Sequence, residues 1–217
     1  MKYTLPKAFF IKREKTLNLI FIDCETFNLC LNSCHNLPWQ IAMIKVKGDK
    51  ILDKKNFYIK WDTHLKISED AAKMTRYSQG TMDKKGIKPE EAFPTIQDWL
   101  ENCDYIVGHN VLGFDIYLIR GFYKYMNLDY KKLMPKVIDT FALAKGVKME
   151  FNYSKEHNFL EYQYKVINTI IKGLKCSLGA LGKQFEIQHD ESKLHDALKD
   201  LELNVEVWNK LKWQVEL

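Results

Sequence analysis

Residues Leu17 to Leu29, LNLIFIDCETFNL, constrain the fold more than any other stretch. From Leu17 to Cys24 the run is apolar enough for a core strand, and it ends by presenting Asp23 and Glu25 with one residue between them. Side chains of an extended strand alternate, so both acids point to one side, about 6.6 Å apart along the chain. Two carboxylates so placed repel each other. Burial raises the cost unless a cation sits between them, which makes a hard divalent ion one solution. The other is a strand that exits into solvent at Asp23 with both acids hydrated.

Further acids stand on other predicted elements. The stretch IVGHNVLGFDIYLIRGFYKYM begins as a buried strand, passes through Gly108, His109 and Asn110, and becomes a helix over about 112–126. Its apolar stripe is Leu112, Ile116, Ile119, Phe122 and Met126, and Asp115 falls inside that stripe. Such an acid is either a structural carboxylate bonded to backbone amides or a functional group. In LHDALKDLELNVEVW, Asp196 is a plausible N-cap, Asp200 lies one turn into the final helix, and His195 precedes it. Alone, His195 reads first as a surface or capping histidine.

Taken together, these residues supply what two-metal phosphodiester hydrolysis requires. Two Mg²⁺ or Mn²⁺ ions about 3.5 to 4 Å apart stabilise the attacking and leaving oxygens of an in-line displacement, and oxygen ligands suit those ions. A histidine of ordinary pKa near 6.5 can take the proton of the attacking water.

The rest of the chain predicts an α/β sandwich. Strands are expected over 17–24, 40–46 and 56–61, with Gly48-Asp49 as a turn, then over 104–108. Helices are expected over 68–77 and 90–101, after Asp139-Thr140, over 178–185, and from Asp196 or Ala197 to about Trp213. With no internal repeat or low-complexity linker, residues 1–217 read as a single domain with an insertion at about 145–172. That insertion interleaves Phe151, Tyr153, Phe159, Tyr162 and Tyr164 with lysines. The pattern suits stacking on single-stranded nucleic acid, or an extra helix over about 158–171 whose aromatics pack on the domain. Asp139 is expected to cap a helix. His109, ending a strand, is expected to support the active-site loop, with an alternative reading as the base.

Composition narrows the class. The formal charge of +5, from 33 basic and 28 acidic residues, permits a polyanionic partner without demanding one. No run of about 18 apolar residues occurs, and the N-terminus lacks a signal-peptide pattern, so no membrane association and a cytoplasmic location are expected. The five cysteines are scattered and odd in number, as free thiols would be. Cys30, Cys34 and His35 could make half a zinc site, but no second ligand pair follows at a suitable spacing.

The segments FIDCET, GHNVLGFD and HDALKD, in that order, resemble the three motifs of the DEDDh 3′-5′ exonucleases, and VIDTFALA and SLGALGKQFEI look like that family's connecting segments. The resemblance runs from about Asn18 to Trp208. It implies a ribonuclease H-like fold, a mixed five-stranded sheet flanked by helices. It further implies Asp23, Glu25, Asp115 and Asp200 as ligands of two Mg²⁺ or Mn²⁺ ions, His195 as general base, and Thr26 and Phe27 against the terminal nucleotide, with His109 and Asn110 also in the substrate-binding set. The implied activity is release of nucleoside 5′-monophosphates from the 3′ end of single-stranded DNA or RNA. Alternatives are an RNA-specific enzyme similar to oligoribonuclease or a transfer-RNA trimming exonuclease, and a non-catalytic nucleic-acid-binding subunit. Three residues separate His109-Asn110 from Phe114-Asp115, a spacing more similar to the family's autonomous exonucleases than to replicase proofreading subunits. A polymerase or repair partner is left open.

Overall fold

The structure is a computed structural model that describes residues 17–29, 36–62, 66–189 and 196–215. Six strands form one mixed sheet: β1 (Asn18–Thr26), β2 (Pro38–Lys47), β3 (Lys50–Ile59), β4 (Gly86–Ile87), β5 (Tyr105–Gly108) and β6 (Val137–Asp139), in the order β4-β3-β2-β1-β5-β6. β1, β2 and β3 are an antiparallel meander; β5 runs parallel to β1, and β6 parallel to β5. The sixth strand, beyond the five expected, is the two-residue β4, which pairs through Tyr58–Gly86 and Ile59–Ile87 at the edge of the sheet.

Helices cover both faces, as alternation along β1 demands. Ile20 and Ile22 point to one side, toward Phe93 and Ile96 of α3 (Pro89–Glu101) and Ile119 and Phe122 of α4 (Asp115–Tyr125). Leu19 and Phe21 point to the other, toward Ala142 of α5 (Thr140–Lys148), Val166 of α6 (Phe159–Asn168), and Leu201 and Trp208 of α8 (Ala197–Leu211). β1 is therefore buried on both faces, and each such side chain contributes roughly 1.5–3 kcal/mol. Two short helices, α1 (Glu69–Thr75) and α2 (Gln79–Lys85), follow the meander; α7 (Leu178–Gln184) precedes α8.

The expected elements are present with two shifts that matter. α4 begins at Asp115, not at Leu112: Asn110 has φ 61°, and its carbonyl accepts from the Gly113 and Phe114 amides, so a turn precedes the helix. Asp115 is thus a first-turn residue, where a carboxylate meets the positive end of the helix, and it keeps its expected place on the buried face with Ile119 and Phe122. Between Thr140 and Ser177, the aromatics pack. Tyr162 is buried, its hydroxyl donates to the Phe151 carbonyl at 2.8 Å, and its ring neighbours Phe151, Tyr153 and Phe159. Cys24, Cys103 and Cys176 are buried free thiols; Cys30, Cys34 and His35 lie outside the described residues. Among the described residues, no helix is long and apolar enough to cross a membrane.

Candidate active site

The site forms where β1 outruns β5. Pairing between them spans Leu19–Tyr105 to Phe21–Val107, and β5 ends at Gly108. A β-carbon at Gly108 would sit 3.0 Å from the Ile22 carbonyl and 2.6 Å from Val111 Cβ, so only glycine lets the chain turn away this close to β1. Past that point the Cys24 N–H donates to Asp115 Oδ1 at 2.8 Å. One interaction therefore holds the acid of α4 beside the residue separating Asp23 from Glu25.

Asp23, Glu25 and Asp200 each offer a carboxylate oxygen, and these oxygens all lie within 4.8 Å of one another. Asp200 reaches them from the first turn of α8, which packs on β1 and β2. Glu25 is only 8% exposed and Asp115 3%. Asp115 is held alongside by its bond from Cys24, outside the trio whose oxygens meet within 4.8 Å. Asp196 caps α8 through the Leu198 and Lys199 amides and adds its charge to the field at Asp23 and Glu25.

This crowding has an electrostatic consequence. Burial, reinforced by Asp115, Glu25, Asp200 and Asp196, holds the Asp23 carboxyl well above the ordinary range. Burial first, then Asp200, Asp115 and Asp196, push Glu25 up to about 9. Burial pushes Asp115 up to about 7, against the opposing hydrogen bond from Cys24. Acids gathered in this way are incomplete without positive charge, and an all-oxygen donor set fits Mg²⁺ or Mn²⁺. The residues present therefore fit divalent cations.

The other sequence-derived candidates fall as follows. Thr26 is buried and its hydroxyl donates to Asn36 Oδ1, while Phe27 packs with Trp39 and Met82. His109 Nδ1 lies 3.1 Å from the Thr140 hydroxyl, its ring meets Phe141 edge-on, and burial lowers its pKa to about 4, which keeps it neutral. Asn110 takes the left-handed conformation, and its N–H donates to Asp139 Oδ1 at 3.0 Å. His195 lies outside the described residues. Beyond the end of β1, Leu29, Asp70, Lys73, Met74 and Arg76 line an open hollow.

Asp139 does more than cap a helix. Fully buried, it accepts from the Phe141 and Ala142 amides of α5 and also from Asn110 and Leu112, in the loop that leads into Asp115. A cap signal was visible in Asp139-Thr140; the clamp on residues 110–112 was not, since nothing local in the sequence reports a partner 27 residues away.

Against known proteins, the family model described as Exonuclease (RNase_T) matches residues 20–208. No curated protein matches. Among solved structures, Escherichia coli exonuclease I in complex with a dT13 oligonucleotide superposes with TM-score 0.71 at 19% identity, covering 91% of this chain and 41% of that one. A zinc-bound complex of the same enzyme with single-stranded DNA gives TM-score 0.69 at 18% identity, covering 91% and 40%. Exonuclease I from Methylocaldum szegediense gives 0.66 at 18%, covering 89% and 40%. The chain thus spans about two fifths of the length of these proteins, and at this identity the likeness is one of fold.

Proposed function

The chain belongs to the exonuclease family whose model matches it over residues 20–208, and from that premise we propose that it is a metal-dependent 3′-5′ exonuclease. Its substrate is the 3′ end of single-stranded DNA or RNA, and its products are nucleoside 5′-monophosphates. The observation that carries this reading is the convergence of Asp23, Glu25 and Asp200 oxygens within 4.8 Å, with Asp115 tethered alongside. Both oligonucleotide complexes of exonuclease I support a single-stranded substrate.

Asp23, Glu25, Asp115 and Asp200 would hold two divalent ions, Mg²⁺ or Mn²⁺. When bound, the ions supply charge stabilisation at the attacking and leaving oxygens of the phosphodiester. The protein's own part is to hold four acids in place before substrate arrives, which avoids reorganisation during the reaction. Asp115 is set by Cys24 and the Asp139-clamped loop; Asp200 is set by α8. His195, five residues before Asp200, is assigned the proton of the attacking water. Phe27 and Thr26, following Glu25, shape the floor under the terminal nucleotide, with His109 and Asn110 holding the facing loop. Lys73, at the rim of the hollow past β1, suits a backbone phosphate. The domain is taken as one unit over 1–217.

The test is degradation of a 5′-labelled single strand with Mn²⁺. Asp23→Ala and Asp200→Ala are expected to abolish product while circular dichroism stays unchanged, and a phosphorothioate at the 3′ end is expected to block the wild type. Wild-type turnover by Asp23→Ala would end the assignment. Parallel digestion of DNA and RNA strands of one sequence separates a general from an RNA-specific enzyme.

A further inference from the structure

We infer that Gln163 is a positioning residue for the metal site, because its side-chain amide completes the outer edge of β6 and thereby fixes the carboxylate that sets the loop leading into Asp115. This rests on the reading of the acids as metal ligands.

β6 is the last strand of the sheet, so its outer backbone groups have no strand to pair with. Gln163 takes that place. Its Nε2 donates to the Val137 carbonyl at 3.0 Å, and its Oε1 accepts from the Asp139 N–H at 2.7 Å. These two partners settle which way the amide lies, since one must accept and the other donate. Gln163 is wholly buried on α6, as a residue making two such bonds in a dry site should be. A single side chain thus imitates one residue of a neighbouring strand.

The same Asp139 whose N–H is held by Gln163 turns its carboxylate the other way. Oδ1 accepts from Asn110 at 3.0 Å and Oδ2 from Leu112 at 3.0 Å. Asn110, in the left-handed region, starts the turn that ends at Asp115, and the Ile116 N–H returns to the Val111 carbonyl at 2.9 Å. Asp115 in turn accepts from Cys24. The path from α6 to the acids is continuous: Gln163, Asp139, residues 110–112, Asp115, Cys24. A buried carboxylate shared among four amides has little room to move, so freeing its backbone on one side shifts the loop on the other.

The experiment measures Mn²⁺ binding by calorimetry in the absence of nucleic acid, together with amide exchange at Asn110 and Leu112. Gln163→Leu removes both bonds; Gln163→Met, unbranched, does the same should the leucine variant fail to accumulate. Either is expected to weaken Mn²⁺ binding about tenfold, the low end of what is lost when a group bonded to a ligand itself is removed, and to speed exchange at both amides. Val166→Ala, on the same helix and fully buried, is the control for loosened packing: it is expected to lower the melting temperature with Mn²⁺ affinity and loop exchange unchanged. Equal losses in Val166→Ala, or wild-type affinity and exchange in the Gln163 variants, would overturn the inference. A wild type that bound no Mn²⁺ would instead overturn the reading of the acids on which it rests.

Discussion

Glu25 is held protonated where water would ionise it. With its carboxyl pushed up to about 9 by burial and by Asp200, Asp115 and Asp196, it stays protonated in the metal-free fold where an unfolded chain, with glutamate near 4.3, would ionise it. The unfolded state therefore binds fewer protons between about pH 4 and 9, so metal-free stability falls as pH rises across that window. Glu25→Gln removes the titration. Its melting temperature in a chelator is expected to match the wild type near pH 4 and to exceed it at pH 8, while activity is lost; melts at the two pH values with EDTA check this. An unchanged difference across pH would contradict the electrostatic account. Asp23, Glu25 and Asp200 were legible in the sequence because strand alternation and a capped helix place them locally. The clamp of Asp139 on residues 110–112 and the bonds of Gln163 were not, because those partners are backbone groups of distant segments, and a buried Gln on a helix reads like any polar residue.

At the scale of elements, legibility followed hydrophobic contrast. β1 and β2 carry nearly continuous apolar runs, α3 and α8 a clear helical periodicity, and all four stand where expected. β3 begins at Lys50, six residues before the apolar part that announces it, because residues 50–54 are exposed and join the sheet by pairing with β2. β4 and β6 are too short for a periodic signal, and α2, missed altogether, buries only Met82. The segment between Thr140 and Ser177 was ambiguous because aromatics among lysines serve a stacking surface and a packed helix equally well. Packing is what the structure shows, and Gly146 tests how close it is. A β-carbon there would fall 2.1 Å from the Tyr162 hydroxyl oxygen and 3.0 Å from the Phe151 carbonyl oxygen. Gly→Ala inside a helix ordinarily stabilises by about 1 kcal/mol. Here the sign reverses: Gly146→Ala is expected to destabilise by ~1–3 kcal/mol through overpacking, measured by urea unfolding, and Gly146→Ala combined with Tyr162→Phe is expected to recover part of that loss.

For the molecule as a whole, the sheet separates two apolar layers, and the acids gather at one end of it, where β1, β5 and β6 finish in the same direction. The proposed ligands are Asp23, Glu25, Asp115 and Asp200, so a cation held by them would join the first strand, the first turn of α4 and the first turn of α8. Binding to the folded chain alone stabilises the whole unit by RT ln(1 + [L]/Kd), about 2.7 kcal/mol at a hundred times Kd. For a chain of this size that corresponds to roughly 5–11 °C in melting temperature, at about 2–4 °C per kcal/mol. Saturating Mn²⁺ at pH 8 is therefore expected to raise the melting temperature by several degrees and to slow amide exchange at Cys24, Leu112 and Asp200 together, as one cooperative site would. Slowing confined to β1, with α8 unaffected, would mean that Asp200 does not share the ion, and the convergence of these three segments would then be a feature of the fold without a cation at its centre.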